Sequence, residues 1–259
     1  MSSSNPALNR GFGQGQQHAS WNAPAPSAGD LQDMYNRPAY TPARYMTLDD
    51  VVMKTAATLG VVVATGAVAW IFELNALAIV GALVGFVLAL VISFKQSTNP
   101  ALILSYAAAE GLFLGAISRV FNEAFGGGIV IQAVVGTVGV FAGMLAVYKT
   151  GAIRVTPRFT RWLLGALIGV VLLMVVNLVA SLFVDGGLGL RDGSPLAIVF
   201  SLVCIGVAAF SFLLDFDMID QGIRRGAPAQ FAWYAAFGLT VTLVWLYLEI
   251  LRLLSYFRD

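Results

Sequence analysis

Ala76-Leu-Ala-Ile-Val-Gly81-Ala-Leu-Val-Gly85-Phe-Val-Leu-Ala-Leu-Val-Ile-Ser-Phe94 runs for 19 positions without a charge or a proline. At ~1.5 Å rise per residue, about 20 such residues cross the hydrocarbon of a bilayer. The stretch therefore reads as a membrane span. Working outward, Glu73 and Asn75 close it on one side and Lys95 to Pro100 on the other. Six further apolar stretches approach or exceed that length, at 51–72, 100–121, 128–148, 162–184, 196–219 and 231–257. The fold class is all-α, a polytopic membrane protein built as a bundle of seven transmembrane helices. Short polar breaks holding Asn122, Pro157, Asp185 and Pro228 separate the spans, so consecutive helices are antiparallel neighbours.

Composition agrees. Of 259 residues 58% are hydrophobic and 11% charged, with a mean hydropathy of +0.81, whereas soluble domains carry about 25% charged residues. A formal net charge of +1 provides no field suited to nucleic acid. Cys204 is the only cysteine, so no intrachain disulfide is possible and it reads as a small packing residue. His18 has no Cys, Asp or Glu at zinc-ligand spacing. No structural metal and no cofactor are expected.

Residues 1–46 are rich in Ser, Asn, Gln, Gly and Pro and read as a disordered cytoplasmic tail, with residues 47–259 forming the membrane domain. The first apolar run begins only near Val51, so no cleaved signal peptide is expected. Thr47-Leu-Asp-Asp50 has the form of a capping box and starts the first helix.

Lys and Arg are retained on the cytoplasmic side of membrane proteins. With the N-terminus inside, eleven basic residues fall on the inner side: Arg10, Arg37, Arg44, Lys54, Lys95, Lys149, Arg154, Arg158, Arg161, Arg224 and Arg225. Four, Arg119, Arg191, Arg252 and Arg258, fall outside. The expected placement is a multi-pass protein of the cell membrane, N-terminus in and C-terminus out. Small residues four apart, such as Gly81 with Gly85 and Gly111 with Gly115, let helices approach closely and are read as packing within the bundle.

A carboxylate in hydrocarbon costs roughly 2.5 to 3.5 kcal/mol on insertion scales, which makes Glu110, Asp215, Asp217 and Glu249 the candidate functional residues. Asp215 and Asp217 project to nearly opposite faces of one helix, so only one faces the interior. Asp217 and Asp220 read as a solvated helix end. Glu110 lies about ten residues into its span and Asp215 about four from the inner end of span 196–219, with Lys95 at the same mouth. Glu249 has Arg252 three residues on, a spacing that allows a local ion pair. Burial and a basic neighbour move a carboxyl's proton affinity in opposite directions, so such groups can titrate near neutral pH and gate a pore.

Asn99-Pro-Ala-Leu ahead of Glu110-Gly111, Leu214-Asp215-Phe-Asp217-Met-Ile219, and Leu246-Tyr-Leu-Glu249-Ile together resemble the Bax inhibitor-1 family, also called the transmembrane BAX inhibitor motif family, and its bacterial branch most closely. The resemblance covers about residues 50 to 257. It implies a seven-helix bundle with the last helix surrounded by the others, and a pH-controlled leak of calcium or other cations across a bacterial inner membrane. It implies a gate and pH sensor made of Asp215 and Glu249, with Lys95 as the basic group that holds one acid in the closed state and Ca2+ passing transiently near Asp215. Glu249 stands where the family usually has Asp.

The two acids are 34 positions apart, about ten more than the family pattern. Either residues 227 to about 237 form an extra interfacial segment that lets them meet, or the pairing is not kept. In the second case Asp215 works with Lys95 and Glu110, while Glu249 pairs with Arg252 or Arg119. Two other functions compete with the leak. One is regulation of a partner such as a membrane-bound protease, with the tail as contact. The other is an aspartyl protease, disfavoured because Asp215 follows Leu-Leu rather than a Gly-x-Gly context. No enzyme activity is expected.

Overall fold

The computed structural model describes residues 44–184 and 186–258, together with Ser27, Gly29 and Gln32. Most of the tail expected to be disordered, with Arg10, His18 and Arg37, lies outside the described residues, as does Asp185. The membrane helices all belong to the compact unit that runs from Ala43 to Asp259.

Among the described residues from Arg44 onward, seven helices follow one another: α1 (Leu48–Ile71), α2 (Leu77–Lys95), α3 (Pro100–Phe125), α4 (Ile129–Thr150), α5 (Pro157–Ala180), α6 (Pro195–Arg224) and α7 (Phe231–Ser255). All seven are long and apolar enough to cross a membrane. Their starts are set by local chemistry. Thr47 and Asp50 complete the capping box on α1, each side chain accepting from the other's backbone N–H at 3.2 Å. Asn99, Thr156 and Ser194 cap α3, α5 and α6, and each is followed by a proline at the first helical position. Proline is suited there because its missing N–H would have no helical partner anyway.

Arg44 to Met46, assigned to the tail by composition, instead pair with the α6–α7 connection. Met46 N–H donates to the Ala227 carbonyl at 2.7 Å and Ala229 N–H to that of Arg44 at 2.8 Å. Met46 is buried, so its apolar side chain fixes the strap. α6 also runs beyond the span read from hydropathy. Its 30 residues measure ~45 Å, more than the hydrocarbon needs. Its last two turns are wet: Gln221 donates to Asp217 at 2.6 Å and Arg224 pairs with Asp220 at 2.8 Å.

α7 packs against α1, α3, α4 and α6, whereas α2 rests on α3 and α5 on α6. The last helix is therefore the centre of the bundle, as the family resemblance implied. Its small residues Ala232, Ala235 and Ala236 are buried and let neighbours close in. α1 and α3 meet through glycines: a Cβ on Gly115 would strike the Gly66 carbonyl, and one on Gly111 the backbone of Val62. The glycine pair thus serves packing inside the bundle.

One end of the bundle carries Lys54 and the other Arg119. At the Arg119 end, Arg119 bridges Glu73 at 2.8 Å and Glu123 at 2.6 Å, and donates to the Trp70 carbonyl at 3.0 Å. That fixes the α1–α2 turn to α3. Arg258 donates to the Phe125 and Gly126 carbonyls at 3.2 Å, where a cation meets the electron-rich end of α3.

Candidate intramembrane carboxylate sites

Asp215 sits on α6 nine residues before its last residue, or ~14 Å along the axis. The distance exceeds the four residues read from hydropathy because α6 continues to Arg224, and the added turns are the wet ones. Its Oδ2 accepts from the Thr242 hydroxyl of α7 at 2.8 Å. Gly238, one turn earlier on α7, leaves room beside Oδ1: a Cβ there would rest 3.9 Å from it, ordinary contact. Among the described residues no ion pair involves Asp215. Thr242→Val keeps the shape but leaves a carboxylate oxygen without its donor, a loss of about 1 to 3 kcal/mol. Reversible unfolding in detergent should show it, and Thr242→Ser should restore it.

Two more polar contacts lie near this depth. The Thr58 and Thr240 hydroxyls join α1 to α7 at 3.1 Å. Glu110 lies ten residues into α3, ~15 Å from its start, with its carboxyl over Gly85 of α2. One turn back on α3, the buried Tyr106 ring meets Phe237 of α7 edge-on at 5.0 Å. Glu110 and Asp215 thus adjoin α7 from separate helices, Glu110 through Tyr106 and Asp215 through Thr242.

Glu249 is elsewhere. It is two turns beyond Thr242, ~10 Å further along α7, and only 1% exposed. Its Oε1 accepts from Arg191 Nη2 at 3.1 Å and Arg252 Nη1 at 3.3 Å. α7 is one continuous helix from Phe231, so the interfacial segment that would have drawn the acids together is not formed. The structure does not bring Asp215 and Glu249 together. Of the partners weighed for Glu249, Arg252 is present and Arg119 is not, since Arg119 is engaged by Glu73 and Glu123.

Lys95 does not reach Asp215 either. It is exposed at the end of α2, and among the described residues it forms no ion pair. The cation set against α7 is Lys54 of α1, whose Nζ donates to the Ala229 carbonyl at 2.6 Å and sits 5.7 Å from the Trp233 ring centre. It borders a polar cavity of about 570 Å³ lined also by Gln96, Asn99 and Gln230. Neither Thr242 nor Arg191 was among the candidate site residues read from the sequence. Gly238 and Thr242, one turn apart on one face of α7, were the available signal for the first.

The α5–α6 connection that delivers Arg191 is built from turns. Gly186, Gly187, Gly189 and Gly193 all have positive φ, from 62° to 82°. At Gly187 a Cβ would also come within 2.9 Å of the Asn177 carbonyl, while Asn177 Oδ1 accepts from Leu188 N–H at 2.9 Å. Asp192 Oδ1 accepts from Ser194 N–H at 3.0 Å, and hydrogen bonds from Ser194 hold that carboxyl below its ordinary value. It is ionised at neutral pH, and the loop contact it makes is lost only in acid.

A membrane-spanning bundle of seven helices with a buried carboxylate on its central helix and a half-buried one on the helix beside it is the class that these features define. The model of the Bax inhibitor 1 like family matches residues 5–259, and the chain belongs to that family. It is also similar to an uncharacterized protein of Chlamydia muridarum (strain MoPn / Nigg), at 34% identity over 127 residues. That match covers 49% of this chain and 48% of the relative, so the chain spans about half the length of the curated relative it matches.

Proposed function

We propose that the protein is a pH-modulated leak for calcium and other cations, with Asp215 as the proton-sensitive gate. One observation carries the reading: a carboxylate that meets the central helix about halfway along its length, through a neutral hydroxyl rather than a cation. A buried anion is costly, and one left without a counter-ion attracts a passing cation when ionised and loses that attraction when protonated. Glu110 is a second carboxyl set well inside its helix, on the other side of Tyr106. Glu249, as geometry stands, acts apart from Asp215. The function is non-enzymatic. The Lys54 end, with Arg44, Lys95 and Arg224, belongs in the cytoplasm of a bacterial cell by the distribution of positive charge.

Calcium flux in proteoliposomes between pH 6 and 8 tests this reading. Flux should rise with pH, since the ionised form is the one that holds a cation; protein-free and protein-containing vesicles leaking equally would contradict it. Deletion of residues 1–43, which keeps the pairing of Arg44 to Met46 with the α6–α7 connection, should leave the leak intact. A function that vanishes with the tail would point to regulation of a partner membrane protein instead.

A further inference from the structure

Three helix ends meet around the polar cavity at the Lys54 end. α2 stops at Lys95, α3 starts at Pro100 and α7 starts at Phe231, and the cavity of about 570 Å³ lies among these ends and the second turn of α1. In a membrane bundle, helix ends lie at the level of the lipid headgroups, where tryptophans such as Trp233 on the cavity wall are enriched.

The lining is rich in donors. An ammonium carries three N–H groups. One from Lys54 goes to the Ala229 carbonyl at 2.6 Å, which leaves two, and among the described residues Lys54 forms no ion pair. Asn99 Oδ1 caps α3 by accepting from Ala101 N–H at 2.9 Å, so its NH₂ group is what Asn99 has left to offer, and among the described residues that group has no hydrogen-bond partner. Gln96 and Gln230 add amides and Thr98 a hydroxyl. α3 adds the electropositive start of a helix. No carboxylate lines the cavity. Asp50, one turn before Lys54, is held instead by the Thr47 hydroxyl at 2.8 Å and by Arg44 at 2.9 Å. A cavity with a cation, several N–H and O–H donors and no anion of its own is suited to an anionic ligand.

We propose that this cavity binds a phosphate group, either the headgroup of a phospholipid in the adjoining leaflet or a soluble phosphate. Lys54 supplies the charge and the Asn99 amide a directed donor; lysine acts on phosphate as a point charge, and the neutral donors fix the orientation. A phosphate held there joins α1, the α2–α3 turn and the start of the central helix α7. The site does not depend on the leak reading.

Thermal unfolding of the full-length protein in a neutral sugar detergent reads the binding, because a ligand of the folded state raises the transition temperature. Three additives at constant ionic strength separate the sources: inorganic phosphate, phosphatidylglycerol, and diacylglycerol with the same chains. A saturable rise with phosphatidylglycerol alone makes the lipid headgroup the ligand, and a rise with inorganic phosphate makes it a soluble anion. Asn99→Asp keeps an oxygen to cap α3 but sets a carboxylate where the amide was. Its half-saturating concentration should be at least about tenfold higher than that of wild type, since a hydrogen bond to a charged group contributes more than a tenfold change requires. Lys54→Gln should behave likewise. Lys149→Gln, which removes an exposed charge at the end of α4, should respond as wild type does. The rise is read within each variant, so a lower starting stability does not mask it. Equal stabilisation by diacylglycerol, no rise with either phosphate, or a response unchanged in both Asn99→Asp and Lys54→Gln would overturn the proposal.

Discussion

Asp215→Asn should lower calcium flux at pH 8 at least about tenfold and flatten its dependence on pH. A unit charge 4 Å from a monovalent cation contributes about 4 kcal/mol at an effective dielectric near 20, well above the roughly 1.4 kcal/mol of a tenfold change. Asparagine retains an oxygen to accept from Thr242, so the α6–α7 contact at 2.8 Å can persist and the fold with it. The substitution fixes the neutral form at every pH. The variant should therefore behave at pH 8 as wild type does at the acid limit. Flux unchanged in size and in pH response would remove Asp215 from the mechanism.

Gly115→Leu should be the most destabilising substitution in the membrane domain, by about 3 kcal/mol, the upper end for overpacking. Its Cβ would meet the Gly66 carbonyl, a backbone group that moves only if α1 moves. Helices in a bilayer associate through close backbone packing rather than through exclusion of water, so separating α1 from α3 removes the contacts that hold them. Gly139→Leu is the matched control, since a Cβ there meets nothing within 4 Å and should cost little. Denaturation in mixed detergent micelles compares the two. Equal stability of both variants would mean that α1 and α3 do not meet at these glycines.

The number of helices and their order were legible because bilayer thickness dictates the length of an apolar run, and seven such runs stand clear of their polar breaks. Their ends were less so. Hydropathy stops at Ile219, but α6 continues to Arg224, because a helix ends where its hydrogen bonding ends rather than where it leaves hydrocarbon. There Gly226, at φ 68°, turns the chain. Of the acidic cluster, the division between interior Asp215 and the wet Asp217 and Asp220 followed from helical geometry alone. The Glu249–Arg252 contact was readable from a spacing of three. Arg191 was not, since only the folded loop brings it to Glu249. Lys95 was the expected basic group at the Lys54 end and Lys54 took the half-buried place beside α7, because α1 rather than α2 packs on α7. Centrality of the last helix came from the family resemblance and is explained by its buried alanines.

If Asp215 senses protons without Glu249, the two carboxyls must be separable by substitution. The decisive comparison is calcium flux from pH 6 to 8 for wild type, Asp215→Asn, Glu249→Gln and the double variant in matched liposomes. Sites more than about 7 to 10 Å apart without shared partners act nearly additively. The pH dependence should be lost whenever Asp215 is replaced and kept in Glu249→Gln, whatever that change does to the amplitude. Loss of pH dependence in Glu249→Gln alone would contradict a gate built on Asp215.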